Sequence, residues 1–201
     1  MKILFFIFFF TFCSLTAAVG QKIIYDSKKE KTITVKGRVV TYKVLKPEFW
    51  KAMIDPYSGY SEYVDGNEVV HYQSVIEIYK NKPNDFERGG VIIAIRNIEK
   101  YGKQLTDAFQ NFLRGYEVKF GKAEKEEAGV KSSKYESVSN LIHTADTASG
   151  INQCIVFIDP GKTFKYDIII SMLISHQRTK PTEEEMAIFR KIVNSFRMLK
   201  G

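Results

Sequence analysis

Metal binding and covalent catalysis both need reactive side chains brought together, so the histidines and cysteines come first. His71, His143 and His176 are the only histidines, and none has a second His or a Cys at ligand spacing. His143 and Asp146, three apart in a polar stretch, are a weak pair for a metal. Structural or solvent-facing roles are expected for all three, and no metal site is assigned. Cys154 sits in Ile151-Asn152-Gln153-Cys154-Ile155-Val156-Phe157-Ile158. A nucleophilic thiol wants an accessible, electropositive setting. Among strand-forming apolar residues, this Cys is expected to act as a small hydrophobe.

Other catalytic signatures are missing. Ser58-Gly59 lacks the preceding Gly of a nucleophile elbow. Gly89-Gly90 precedes a strand-like run, whereas phosphate cradles open a helix. Glu77 is a formal candidate for an acid pair, but a solvent-facing Glu between core residues is the simpler reading. No catalytic residue and no cofactor are therefore assigned.

The aromatic group Tyr57, Tyr60 and Tyr63, with Trp50 upstream, stands out. Tyr supplies rigid, amphipathic contact area at low entropic cost. Residues 55–67 contain Pro, two Gly, two Ser, two Asp and an Asn, which is loop composition. Long loops in small domains are often functional. These four aromatics are the candidate binding residues. The alternative is that they pack over a sheet edge or helix end.

Behind these residues stand the elements that must place them. Lys2 is followed by the uncharged run from Ile3 to Phe12 and then by Ala17, Ala18 and Gly20. Charge, apolar core and small residues in that order read as a secretory signal peptide over residues 1–20. Cleavage is expected after Gly20, or else after Ala18. An uncleaved anchor is the alternative, since Ile3 to Gly20 approaches membrane length. A lipoprotein would need a small residue before Cys13, where Phe12 stands. Without residues 1–20 the formal charge falls from +7 to +6, because only Lys2 is lost. Cys154 is then alone, so no disulfide within the chain is possible. The expected location is periplasmic or extracellular.

Residues 21–30 read as a charged lead-in. Lys28, Lys29 and Lys31, with Lys36 and Arg38 beyond, could touch an anionic membrane surface, although Glu30 interrupts them. Export, and the lack of aromatic–basic interleaving, argue against nucleic acid. Residues 32–35 and 38–44 read as a hairpin around Gly37, and Pro47 ends its second strand. A short helical turn is expected over 48–53 and one strand over 69–80. Val91 to Ile95 is a strand covered on both faces.

Leu105, Ala108, Phe109, Phe112, Leu113 and Tyr116 fall on one face of a helix over 103–116, which Gly115 could end. Residues 119–133 alternate in charge and read as a solvated connector. Strands follow at 135–142, 151–158 and 163–174, with Asp159-Pro160-Gly161-Lys162 as a turn between the last two. Thr182 and Glu185 form a capping box for a last helix that buries Met186, Phe189, Ile192, Val193 and Phe196. The expected fold is α+β, an antiparallel sheet of six or seven strands carrying two amphipathic helices, in one domain over 31–201.

This order, read with two local patterns, resembles the PsbP-like family. That family includes the extrinsic protein of photosystem II, bacterial periplasmic DcrB-like proteins and a nuclear Ran-binding relative. One pattern is a strand running into Pro and then Trp, here Tyr42-Lys43-Val44-Leu45-Lys46-Pro47-Glu48-Phe49-Trp50. The other is a helix ending in Ser-Phe, here Phe189 to Phe196. The resemblance spans most of the chain after residue 20 and implies an antiparallel sheet with helices on its faces. It also implies an accessory binding or assembly role rather than catalysis. The expected function is thus an exported, non-enzymatic envelope protein that binds a protein partner through loops at one sheet end. A carrier of a lipid or other small hydrophobic ligand is one alternative. A small envelope hydrolase using His143 or a carboxylate pair is the other.

Overall fold

The computed structural model describes residues 23–37, 39–55, 59–64, 67–72, 75–80, 91–144, 152–174, 178 and 180–201, with side chains of 55 and 59–75 left aside. The signal-peptide expectation lies outside these residues. Among the described residues, no helix is long and apolar enough to cross a membrane.

Eight of the thirteen described strands form one antiparallel sheet, ordered β1-β4-β7-β8-β12-β11-β10-β9. These are β1 (Ile23–Tyr25), β4 (Lys51–Asp55), β7 (Val75–Tyr79), β8 (Val91–Glu99), β12 (Tyr166–Ile174), β11 (Asn152–Asp159), β10 (Glu136–Thr144) and β9 (Ala123–Glu127). A second sheet runs β13-β3-β2. It comprises β2 (Lys31–Lys36), β3 (Thr41–Lys46) and β13 (Arg197–Lys200). A separate two-stranded ribbon is made by β5 (Gly59–Val64) and β6 (Asn67–Tyr72). The helices are α1 (Leu105–Phe120) and α2 (Glu183–Ser195).

The large sheet is covered on both faces, which explains its unbroken apolar runs. On one face α1 lays Leu105, Ala108, Phe109, Leu113 and Tyr116 against Ile142, Ile155, Phe157 and Ile169. Phe109 and Phe112 both meet the Phe157 ring edge-on, at centroid distances of 5.7 and 5.6 Å. On the other face α2 and the three-stranded sheet share one core with Ile54, Ile78, Ile95, Val156 and Ile170. Phe189, Ile192, Val193 and Phe196 are fully enclosed there.

The α+β class and the antiparallel sheet agree with expectation, but the strand count is larger. Residues 48–53 form a turn and the start of β4 instead of a helical turn. The lead-in contains β1, which pairs Tyr25 with Ala52 at the sheet edge. The expected loop at 55–67 contains β5, and the expected strand at 69–80 is two strands, β6 and β7. The connector contains β9, paired to β10 through Ile142 and Lys125. β1, β5 and β9 are short or polar, so their own residues carry little strand signal. Pairing with a neighbour stabilises them instead.

Helix boundaries shift for similar reasons. The first helix passes through Gly115 and stops at Gly121, which takes φ 82 and donates its N–H to Glu117. At its start, Asp107 accepts from the backbone N–H groups of Lys103 and Gln104, at 3.1 and 3.2 Å. The second helix begins with the anticipated capping box. Thr182 Oγ1 accepts from the Glu185 N–H at 3.2 Å, and Glu185 Oε2 accepts from the Thr182 N–H at 2.7 Å. It ends earlier than its charges suggest, because Arg197 and Lys200 belong to β13.

Candidate functional site

The tyrosine segment is an excursion from the large sheet. Its flanking strands β4 and β7 pair with each other, and Asp55 and Val75 are the last partners before the chain leaves. Between them β5 and β6 pair as Tyr60 with His71, Glu62 with Val69, and Tyr63 with Glu68. Among the described residues these two strands pair with no third strand. A two-stranded ribbon alone is marginal in water. Positions 60 and 63 are three apart, so strand alternation assigns them to opposite faces of the ribbon. Tyr57 lies outside the described residues.

Trp50 is not part of that group. It is 4% exposed and packs in the core with the small sheet and α2. Its exclusion from solvent corrects its place among the binding candidates. Its carbonyl serves a different node. The Lys46 ammonium donates to the carbonyls of Ser27, Pro47 and Trp50, each at 2.8 Å. Lys46 is fully buried, and burial lowers its pKa while Glu30, Asp26 and Glu48 oppose the shift. This node clips the segment after β1 onto the turn that leads into β4. Phe49, within that turn, has φ 60, donates its N–H to the Lys28 carbonyl and leaves its ring 61% exposed.

Among the described residues the reactive side chains lie on separate elements. His143 Nε2 meets Glu124 Oε2 at 3.0 Å across the β9–β10 ladder. Glu126 on the same edge strand pairs with Lys180 at 2.7 Å. His71 lies on the ribbon, while His176 and Asp146 are outside the described residues. Cys154 is enclosed, and burial pushes its thiol up to about 12, so it holds its proton at neutral pH. Among the described residues no three His, Cys, Asp or Glu side chains converge to hold a metal ion.

One ionic group was not anticipated from the sequence. Lys100 follows β8 and ion-pairs with Asp159, while donating to the Gly161 carbonyl at 3.1 Å. Its distance to Asp167 Oδ1 is 3.7 Å, close enough for attraction but too long for a hydrogen bond. Burial raises the Asp159 pKa, but bonds from Lys100 and the Gly161 N–H outweigh it and hold the carboxyl below its usual range. Asp167 is pushed up to about 6, chiefly by burial, with Lys100 opposing and Asp159 and Glu136 adding to the rise. Alternation within 163–174 could have marked Asp167, since it falls on the same face as Ile169. The Lys100 contact could not have been read, because the register of β8 and β12 creates it.

No family model, no curated protein and no solved structure matches this chain.

Proposed function

We propose that this is an exported, non-enzymatic accessory protein of the cell envelope, of PsbP-like type, that binds a protein partner through the β5–β6 ribbon. One observation carries this reading. The ribbon leaves the sheet between two strands that already pair with each other, so the sheet does not need it. A segment that contributes no strand to the main sheet, yet carries Tyr60 and Tyr63 on opposite faces, suits insertion into a partner's groove. The signal-like N-terminus supports export. Cys154, buried with its thiol protonated, supplies no nucleophile for a hydrolase.

The test is excision. Replacing residues 56–74 by Asn-Gly joins Asp55 to Val75 through a two-residue hairpin turn. The variant is expected to keep its far-UV spectrum and cooperative melt. Used as bait in envelope extract, it should lose a protein that the parent enriches. A Tyr57/Tyr60/Tyr63→Ala variant should reproduce that loss. Equal recovery by parent and excised protein would overturn the reading. Lipid co-purifying without protein would point to a carrier.

A further inference from the structure

We propose that the outer face of the three-stranded sheet docks on a bilayer surface rich in anionic phospholipid, independently of the ribbon. Strands β2, β3 and β13 read Lys-Thr-Ile-Thr-Val-Lys, Thr-Tyr-Lys-Val-Leu-Lys and Arg-Met-Leu-Lys, without a single acid. Their register sorts these residues. Ile33, Val35, Tyr42, Val44 and Met198 face the core. Across the opposite face, Thr34, Lys43 and Arg197 make one row, and Lys36, Thr41 and Lys200 make the next. Lys36, Lys43 and Lys200 are exposed and Arg197 is partly so.

This face is electrostatically unbalanced. Lys43 and Arg197 are direct cross-strand partners, an arrangement that costs stability. Among the described residues none of the four cations ion-pairs with a carboxylate. Of the acids flanking β2 and β3 in sequence, Asp26 is committed to Lys51 at 3.0 Å and Glu30 to Lys191, and Glu48, two residues beyond β3, is the one exposed carboxylate left at that end. Arg197 Nη1 donates to the carbonyls of Asn194 and Phe196, at 2.7 and 2.6 Å, which fixes its guanidinium at the sheet margin. Phosphate oxygens would supply the missing counter-charge, and the Thr34 and Thr41 hydroxyls could donate to them.

Exposed apolar side chains favour a bilayer over a soluble polyanion. Leu199 lies 49% exposed beside Lys200. Phe49, three residues beyond β3, presents its ring to solvent from a left-handed backbone that disfavours a bulky residue. Neither side chain is repaid by packing in the free protein, and both would be repaid in the headgroup region. Basic residues there contribute on the order of 1 kcal/mol each, which corresponds to about fivefold in partition.

The experiment is co-sedimentation of the full chain with vesicles of phosphatidylglycerol and phosphatidylcholine in equal parts, against phosphatidylcholine alone. Binding through the uncharged run from Ile3 to Phe12 would be common to both vesicle types, so the ratio between them reads charge. A preference of roughly tenfold or more for the anionic vesicles is expected, collapsing from about 50 mM to about 500 mM NaCl. Lys36→Glu/Lys43→Glu/Lys200→Glu should abolish the preference with the melt retained. If that variant melts early, the corresponding three Lys→Gln changes test the same charge. Phe49→Ser should weaken anionic binding while leaving its salt dependence. Equal partition of the parent between the two vesicle types, or an unchanged preference in the Lys variants, would overturn the proposal. So would capture by soluble heparin without any vesicle preference.

Discussion

Lys46 is the side chain on which the edge of the large sheet depends. Its ammonium satisfies the carbonyls of Ser27, Pro47 and Trp50 where water does not reach. Lys46→Met would leave those acceptors unpaired, at a cost of about 2–4 kcal/mol by urea denaturation. Amide protection in β1 should fall first, because Ser27 lies just beyond it. Asp167 works in the opposite sense. Its folded pKa of about 6 lies above the ordinary 3.8, so the fold favours the protonated carboxyl. That contribution is present below the unfolded pKa and is lost as pH rises through about 6. Asp167→Asn should remove this loss. Between about pH 5 and about pH 8, the parent should lose about 1–1.5 kcal/mol relative to the variant, read from urea midpoints. A parallel pH dependence in both proteins would refute the assignment.

At the scale of elements, Ser195 joins α2 to β3. Its Oγ accepts from the Leu45 N–H at 2.8 Å and donates to the Ile192 carbonyl at 2.7 Å. Beside it Phe196 meets the Tyr42 ring at 5.2 Å. Ser195→Ala should cost about 1–2 kcal/mol, measured by thermal or chemical unfolding, since Leu45 N–H loses its partner. The helices were legible because each carries an apolar stripe at period 3.6, with a capping box besides in α2, whereas the end of α1 was not, since it runs through Gly115 to Gly121. The long strands were legible from their apolar runs. Strands β1, β5 and β9 were not. They hold three, six and five residues, and the third reads Ala-Glu-Lys-Glu-Glu. A short polar segment becomes a strand when a neighbour offers it a ladder, and its own residues do not announce that. The aromatic candidates divide in the same way. Composition could single out Tyr60, Tyr63 and Trp50 as unusual, but burial alone removes Trp50 from the surface.

For the whole molecule, three layers account for the pattern of burial: α1, the eight-stranded sheet, and α2 with the small sheet. The middle layer is apolar on both sides because both sides are covered. Its two edges differ. At one end β9 is charged, which discourages edge-to-edge pairing. At the other, β1 exposes Ile23 and Ile24 on a strand of only three residues. By itself, the sequence determined the α+β class, both amphipathic helices, the capping box of α2 and the long strands. Those signals are local and depend on residues within a turn or two of each other. Tertiary structure alone decided that β5 and β6 stand apart from the main sheet, that Lys46 meets three carbonyls and that Lys100 lies beside Asp167. It also gathered the cations of β2, β3 and β13 onto one face. These depend on register and crossover between segments far apart in the chain, as Glu30 and Lys191 are, 161 positions apart. The energy that selects such contacts comes from closing the core, which no single segment encodes.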